Sequence, residues 1–275
     1  MKIPKKFEML VHNGLVDEVV SQLMSGKEAD VYIVRSMGEL RCAKAYKDAD
    51  NRSFSRQAQY QEGRSVRNSR QTRAMGKNTK YGRKELEGAW QNAEVDALHR
   101  LAAAGVRVPR IFNYVSGILL MELVVDDNGS TAPRLNDIRL TETQAREYHS
   151  TMIAQIVLML CAGLVHGDLS EYNVLVGSNG PVIIDLPQAI DAAGNNNAAA
   201  MLERDVANMT AYFGRFAPEL LTTDYGREIW KLYAGGELSP DSILTGRFEQ
   251  SSRPADVHGV MREVDAARRW HERNL

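Results

Sequence analysis

The sequence lacks the features on which several classes of protein depend. Its 275 residues include only two cysteines, Cys42 and Cys161, which lie far apart and match no spacing of metal ligands. This scarcity argues against a disulfide framework and fits a reducing cytosol, so we expect a cytoplasmic protein. The formal net charge is −1, so no overall field draws the chain toward nucleic acid or a membrane.

Long hydrophobic runs are also missing. The longest uncharged segment, STMIAQIVLMLCAGLV, is shorter than the roughly twenty apolar residues of a membrane-spanning helix and contains Ser, Thr and Gln. It predicts a buried helix and no membrane partner. The basic start, MKIPKKFEML, is not followed by an apolar stretch, so no signal peptide is expected. Apolar and charged fractions of 44% and 25% are those of a globular protein.

The first part of the chain is predicted to form a small antiparallel sheet with a helix inserted. DVYIVRS and LRCAKAYK predict a hairpin with a turn at Met37-Gly38, and IFNYVSGILLMELV predicts a second strand pair. Between them, KELEGAWQNAEVDALHRLAAAG predicts a helix that ends at Gly105. The apolar spacing from Ile3 to Leu23 suits an amphipathic helix or two short helices.

A basic segment, residues 48–84, separates the first hairpin from that helix. It has almost no residues that would form a core, which predicts a mobile insertion. It also suits a loop that binds phosphate groups or a partner and orders on contact. Its ten basic residues, opposed only by Asp48, Asp50 and Glu62, are Arg52, Arg56, Arg64, Arg67, Arg70, Arg73, Lys77, Lys80, Arg83 and Lys84.

Polar residues at set intervals mark the second, mainly helical part. The segment TETQAREYHSTMIAQIVLMLCAGL predicts a helix with Thr141 as N-cap, and HGDLSEYNVLVGSNGPVIIDLPQ follows it. Here Asp168, Asn173 and Asp185 alternate with the strand-like runs VLV and PVIID. Carboxylates beside a core are costly unless something pairs with them, and Mg²⁺ prefers such oxygen ligands. The segment therefore predicts a magnesium site.

Phosphoryl transfer needs cations for the phosphates, metal ligands and a group that orients the nucleophile. Lys44 lies in an apolar strand and needs an anion, which a nucleotide phosphate or Glu94 would supply. Glu87 and Asp96 are alternatives to Glu94, because the choice of Glu94 as the partner of Lys44 depends on the register in which this helix is aligned. The segment SGKEAD adds backbone donors at Gly26, and Asp168 would orient the attacking hydroxyl.

These motifs together resemble the RIO family of atypical protein kinases. The resemblance rests on SGKEADVY, AKAYK, HGDLSEYNVL, IIDLPQAI and RDVANMTAYF, five segments in the right order and spacing from about Val11 to Phe216. The long charged insertion fits as well. The family differs from ordinary protein kinases in ways seen here: there is no G-x-G-x-x-G run, DLP stands at Asp185, and Ser170 replaces a lysine.

The resemblance implies an α+β, two-lobed protein-kinase-like fold. We expect a small antiparallel-sheet N-lobe with a helix, a mainly helical C-lobe and no full activation segment. The expected boundaries are 1–120 for the N-lobe, 121–123 for the hinge and 124–275 for the C-lobe, with an extension after about residue 216. The APE at Ala217 is read as chance, because it follows the RDVANM helix.

The resemblance also implies a role for each matched residue. Lys44 and Asp168 would be catalytic, and Asn173 and Asp185 would bind Mg²⁺, with Mn²⁺ as an alternative. The remaining residues would bind ATP: Ser25, Gly26 and Lys27 over the triphosphate, Glu94 beside Lys44, Val31, Cys42, Leu175 and Ile184 around the base, and Met121, Glu122 and Leu123 at the hinge.

The function expected from this resemblance is ATP- and Mg²⁺-dependent phosphorylation of serine or threonine in a protein, including this chain itself. One alternative is an ATPase-type switch in ribosome-related assembly, with a ribosomal particle or RNA contacting the basic insertion. The other is a small-molecule phosphotransferase, since such enzymes share H-G-D…N and I-D motifs. SGKEAD and the basic insertion argue against the latter.

Overall fold

The computed structural model describes residues 3–47 and 93–248. An antiparallel sheet with the strand order β1-β2-β3-β5-β4 forms the first part. Both predicted hairpins are confirmed, with turns at Met37-Gly38 and Ser116-Gly117. The strands are β1 (Glu18–Ser25), β2 (Ala29–Ser36), β3 (Glu39–Tyr46), β4 (Ile111–Val115) and β5 (Ile118–Glu122).

The prediction of a helical start from Ile3 to Leu23 is wrong in its second half. A 3₁₀ turn and the short helix α1 (Glu8–His12) are followed by strand β1. Val19 and Val20 favour extended backbone, and β1 pairs with β2 along its length, so sheet hydrogen bonding overrides the helical spacing. As a consequence SGKEAD spans a turn between two strands, whereas the sequence placed it before the first strand.

Helix α2 is described over residues 93–103 and ends before Gly105, which has a φ of +82°. This left-handed conformation suits glycine and terminates the helix as predicted. The predicted insertion, 48–84, lies outside the described residues. Helix α2 packs Leu98 and Leu101 into the main core and thereby fixes the orientation of Glu94.

The second part is mainly helical. A capping box begins α3: the Thr141 hydroxyl accepts from the Gln144 N–H, and the Gln144 side chain accepts from the Thr141 N–H. The helices are α3 (Glu142–Cys161), α4 (Ala198–Phe213) and α5 (Tyr225–Ala234), and the strand pairs are β6 (Leu164–Val165) with β9 (Ile190–Asp191) and β7 (Val174–Gly177) with β8 (Gly180–Ile183).

One large apolar cluster joins α2, α3, α4 and α5 and reaches the cleft side of the sheet. A second cluster covers the other face of the sheet, where Phe7 and Leu10 pack against Tyr32 and Val34. Residues 186–197 are the whole connection between Asp185 and α4, which leaves no room for a full activation segment. No helix among the described residues is long and apolar enough to cross a membrane.

Candidate nucleotide-binding and phosphoryl-transfer site

Lys44 is the point at which three distant segments meet. Its ammonium Nζ lies 2.7 Å from Oε1 of Glu94 on α2 and 2.8 Å from Oδ1 of Asp185 after β8. The lysine side chain is 11% exposed and that of Glu94 is 3% exposed, whereas Asp185 is 47% exposed. A buried ammonium therefore joins a buried carboxylate to one that faces solvent.

The charges in this triad stabilise the ionised forms. Burial alone would lower the pKa of Lys44, but Glu94 and Asp185 outweigh it and raise the pKa well above its usual value. The positive charge of Lys44 lowers the pKa of Asp185, against the effect of burial. Both groups are thus charged at neutral pH, and Asp185 is available as an anionic oxygen ligand.

Glu94 is the partner that the structure brings to Lys44. Its second oxygen, Oε2, accepts a hydrogen bond of 2.6 Å from the hydroxyl of Tyr46, which lies on the same face of β3 as Lys44. Of the alternatives, Asp96 is exposed on α2 and Glu87 lies outside the described residues. Burial, and then the charge of Glu94, raise the pKa of Tyr46, so its hydroxyl keeps its proton.

The loop that carries Asp168 is braced from three sides. The imidazole of His166 contacts the Ile184 carbonyl oxygen through Nε2 at 3.2 Å, and its Nδ1 accepts from the Asp168 N–H at 3.3 Å. These contacts assign the imidazole proton to Nε2. The amide of Asn173 donates to the Asp168 carbonyl oxygen at 2.8 Å. His166 thus ties the Asp168 loop to the residue that precedes Asp185.

Asp205 on α4 anchors the same loop from below. Its two oxygens accept from the N–H groups of Gly167 at 2.7 Å and Leu169 at 3.0 Å. Burial raises the pKa of Asp205 to about 6, although the hydrogen bonds from Gly167 and Leu169 act in the other direction. The carboxylate is enclosed beneath the loop, while the side chain of Asp168 is on the exposed side.

Asn173 and Asp185 lie at the open ends of the β7–β8 hairpin. Asn173 precedes β7, and its carbonyl oxygen accepts from the N–H of Ile184 at 3.0 Å. Asp185 follows Ile184 with a φ of +65°, a left-handed conformation that is uncommon outside glycine and is concentrated at functional sites. The hairpin therefore holds the two predicted metal ligands on adjacent backbone segments.

The predicted phosphate loop is the turn between β1 and β2. Ser25 ends β1, Lys27 is exposed, and the Gly26 N–H donates to the Ala29 carbonyl oxygen at 2.9 Å. A Cβ at Gly26 would lie 3.2 Å from that same carbonyl oxygen, a tight contact that favours a residue without a side chain there. The turn is thus tight and adjoins the strand that carries Lys44.

The remaining predicted residues occupy the sheet face and the floor below it. Val31 lies directly opposite Lys44, and Met121 lies directly opposite Cys42, so these four side chains share one face of the sheet. Burial raises the pKa of the Cys42 thiol to about 12, which makes it an inert apolar wall. Leu175 and Ile184 lie on and just after the β7–β8 hairpin, below the sheet.

The predicted hinge follows β5. The Glu122 N–H donates to the Arg110 carbonyl oxygen at 2.8 Å, and the Glu122 carboxylate binds both terminal nitrogens of Arg107. The backbone N–H and the side chain of Glu122 are therefore engaged within the protein. A backbone contact from Glu122 to a base would come from its carbonyl oxygen, next to Leu123.

A family model and several known proteins are similar to this chain. Residues 30–225 match the family model of the RIO domain. The chain belongs to the RIO domain family. The RIO-type serine/threonine-protein kinase Rio1 of Haloferax volcanii is 32% identical over 213 residues, which cover 75% of this chain and 67% of that protein. Human serine/threonine-protein kinase RIO1 is 28% identical, and the match covers 86% of this chain but 40% of the human protein.

Solved RIO structures share the fold. The Rio2 kinase from Chaetomium thermophilum superimposes with a TM-score of 0.56 at 20% identity, covering 94% of this chain and 76% of that one. Its complex with ADP, Mg²⁺ and phosphoaspartate gives a TM-score of 0.52 at 19% identity, covering 86% and 73%. The predicted two-lobed, kinase-like α+β fold is confirmed.

Several residues of this RIO site have no signal in the local sequence. Nη2 of Arg134 lies 2.9 Å from Sδ of Met24, so Arg134 contacts strand β1 of the sheet. The charge of Arg134 also contributes to the lowered pKa of Asp185. Lys47 contacts the β1–β2 turn. Arg134 and Met24 are 110 residues apart, so only the folded topology reveals their contact.

The donor set fits a magnesium ion that shares its coordination with phosphates. No group of three or more His, Cys, Asp or Glu side chains that would hold a metal occurs within residues 3–47 and 93–248. Mg²⁺ is commonly bound by one or two carboxylates together with substrate phosphates and waters, so such a group is not required. Asp185 offers an ionised, half-exposed carboxylate. Asn173 offers an amide oxygen, and its backbone is hydrogen-bonded to Ile184, the residue before Asp185.

Proposed function

We propose that this RIO protein is an ATP- and Mg²⁺-dependent serine/threonine protein kinase that transfers the γ-phosphate to protein hydroxyls, including its own. The observation that carries the proposal is the position of Lys44, 2.7 Å from Glu94 and 2.8 Å from Asp185. One side chain thereby joins the sheet, helix α2 and the residue after β8. Phosphoryl transfer relies on such positioning of charge more than on covalent chemistry.

Each charged group then has a distinct role. Lys44 is proposed to bind the nucleotide phosphates, with Glu94 fixing the direction of its ammonium group. Asp168 is proposed to orient the acceptor hydroxyl and accept its proton, because it lies on the exposed side of a loop braced by His166 and Asp205. Bracing reduces the freedom of this carboxylate and favours a productive geometry.

Asn173 and Asp185 are the proposed ligands of Mg²⁺, or of Mn²⁺ in its place. When bound, the metal would supply positive charge that offsets the charge on the phosphates. The protein contributes the β7–β8 hairpin and the backbone bond from the Ile184 N–H to the Asn173 carbonyl oxygen, which hold the two ligand positions on adjacent segments.

The nucleotide is proposed to lie between the sheet and the hairpin. The base would contact Val31, Cys42, Leu175 and Ile184, with Met121 behind it and the backbone of Glu122 and Leu123 at its edge. The turn of Ser25, Gly26 and Lys27 would cover the triphosphate. The hinge at 121–123 and the lobe limits 1–120 and 124–275 are part of the same proposal.

Autophosphorylation is proposed because the short 186–197 connection provides little platform for an extended peptide. The candidate acceptors include four serines of the basic segment, outside the described residues: Ser53, Ser55, Ser65 and Ser69.

The test is incorporation of radiolabelled phosphate from ATP, with and without Mg²⁺. Asp168→Ala should lower transfer by about 10²- to 10⁴-fold, the usual contribution of a positioned general base, while the exposed position spares the fold. Asp241→Ala, an exposed acidic residue outside the site, is the matched control. Mass spectrometry locates the modified residues. Equal transfer by Asp168→Ala and wild type would refute the proposal, and labelling of aminoglycosides instead of protein would favour the small-molecule alternative.

A second candidate function is an ATPase-type switch in ribosome-related assembly. The specific observation is the half-exposed Asp185 carboxylate beside Lys44, together with the phosphoaspartate in the related Rio2 complex. Attack of a carboxylate oxygen on the γ-phosphorus would release ADP and leave an acyl phosphate that water hydrolyses. Hydroxylamine cleaves an acyl phosphate, so loss of the label on hydroxylamine treatment would favour this candidate. ATP turnover and salt-sensitive co-sedimentation with ribosomal particles would support it further. A label that resists hydroxylamine would favour the kinase.

A further inference from the structure

Lys47, the residue after β3, makes a set of contacts that the proposed function does not use. Its ammonium Nζ donates to the Gly26 carbonyl oxygen at 2.7 Å and to the Ser25 hydroxyl at 3.1 Å, and it lies 3.0 Å from Oδ1 of Asp30. The Ser25 hydroxyl in turn donates to the same Asp30 oxygen at 2.6 Å. We call these three side chains, Lys47, Asp30 and Ser25, the ionic clamp.

Backbone hydrogen bonds already close the β1–β2 turn, and the side chains of the ionic clamp add a second set of contacts to it. The Gly26 N–H donates to the Ala29 carbonyl oxygen, and the Lys47 N–H donates to the Glu28 carbonyl oxygen at 2.8 Å. Lys47 therefore binds the turn through both its backbone and its side chain. Loss of the ammonium group would leave the turn attached at fewer points.

The contacts also determine which groups remain for a ligand. An ammonium group has three donors, and here three oxygens lie within hydrogen-bonding distance of it. The proton of Ser25 is directed to Asp30. Lys47 and Asp30 are 25% and 23% exposed, so solvent screens their attraction less than it screens that of a surface pair. Lys27, by contrast, is exposed on the same turn and available to phosphates.

We propose that Lys47 and Asp30 are positioning residues that hold the β1–β2 turn in the conformation that binds nucleotide phosphates, with Ser25 acting as part of the ionic clamp and not as a phosphate ligand. The inference rests on the proposed nucleotide-binding function. The turn contains one glycine instead of a glycine-rich run, and preorganisation by the clamp reduces the ordering cost when a ligand binds.

Amide hydrogen exchange of residues 26–30 in the nucleotide-free protein tests the clamp without catalysis. Lys47→Met should accelerate exchange there by about tenfold, since each 1.4 kcal/mol lost from a closed state is a factor of ten. The same variant should raise the KM for ATP by about tenfold and change kcat by less than about threefold, because a less ordered turn weakens binding before chemistry. Lys47→Arg should recover most of both effects.

Two lysine controls separate a positioning role from direct binding. Lys27→Met should raise the KM for ATP but leave exchange of the turn amides unchanged, as expected of a ligand to phosphate. Lys5→Met, at an exposed site in the N-terminal 3₁₀ turn, should change neither. Asp30→Asn provides a second break in the clamp, if Lys47→Met fails to fold, and should accelerate exchange in the same segment.

The outcomes distinguish the two proposals. Wild-type exchange in both Lys47→Met and Asp30→Asn would overturn the clamp, even if the KM rose, because Lys47 would then act directly on the phosphates. Wild-type protein that binds no ATP in a calorimetric titration would overturn the proposed function, whatever the exchange rates show.

Discussion

At the scale of single residues, the site depends on pairing buried charges. Glu94 is 2% exposed, and its carboxylate has two partners, the Lys44 ammonium group and the Tyr46 hydroxyl. A buried ion pair contributes little net stability over an apolar pair, but removal of one partner leaves an uncompensated charge. Lys44 is therefore expected to matter for stability as well as for the proposed phosphate binding.

Lys44→Met should lower the free energy of unfolding by about 3 kcal/mol, because the Glu94 carboxylate then remains buried without its cation. Adding Glu94→Gln removes that charge and should recover more than half of the loss, while phosphate transfer stays absent in both variants. Urea unfolding measures the difference. Lys231→Met, at an exposed position on α5, is the control and should shift stability by less than about 0.5 kcal/mol. A double variant no more stable than Lys44→Met would contradict this account.

The proposed site residues stand out in the sequence because their chemistry is visible locally. A lysine within an apolar strand and carboxylates next to strand-like runs are unusual enough to mark Lys44, Asp168 and Asp185. Lys47 and Asp30 carry no such mark, since charged residues beside a turn are common and their contact depends on the register of β2 and β3. The contact between Arg134 and Met24 joins segments 110 residues apart, so it depends on how they pack and could not be predicted from the sequence either.

At the scale of elements, turn and cap chemistry determined which predictions succeeded. The Met37-Gly38 and Ser116-Gly117 turns both place a non-glycine residue and a glycine at positive φ, the type I′ signature of a two-residue hairpin. Strand β1 was missed because its apolar residues also fit a helical period, and only pairing with β2 selects the extended form. Local signals decide an element unless a neighbouring strand supplies hydrogen bonds that outweigh them.

The capping box of α3 gives a prediction at this scale. Thr141→Ala should lower the free energy of unfolding by about 1 kcal/mol, because the Gln144 N–H loses its acceptor, the Thr141 hydroxyl, while only the bond from the backbone N–H of residue 141 to the Gln144 side chain remains. Thr143→Ala, two residues later on the exposed side of the same helix, is the matched control and should be neutral or slightly stabilising, since alanine is the better helix former. Equal losses in the two variants, measured by urea unfolding, would argue against the capping contribution.

At the scale of the whole molecule, His149 lies where the three large helices of the second part meet. It belongs to α3, its Nε2 is 3.1 Å from the Thr210 hydroxyl on α4, and its ring packs against Phe213 and against Tyr225 on α5. It is 2% exposed, and burial lowers its pKa from 6.5 to about 4. Protonation of this one side chain therefore opposes the packing of all three helices.

The stability of the whole fold should consequently fall in mild acid. Between pH 6.5 and about 4 the unfolded chain carries a proton on His149 that the folded chain excludes. The stability that the neutral ring contributes is thus fully present above pH 6.5 and is lost as the pH falls toward 4, by roughly 3 kcal/mol in total.

His149→Gln retains a polar partner for Thr210 but has no group that titrates in this range. Urea unfolding at pH 7.5 and pH 4.5 should show a smaller acid loss in His149→Gln than in wild type, whereas His99→Gln, an exposed histidine on α2, should keep the wild-type loss. If the loss is as large in His149→Gln as in wild type, the proton that destabilises the helical packing binds at another residue.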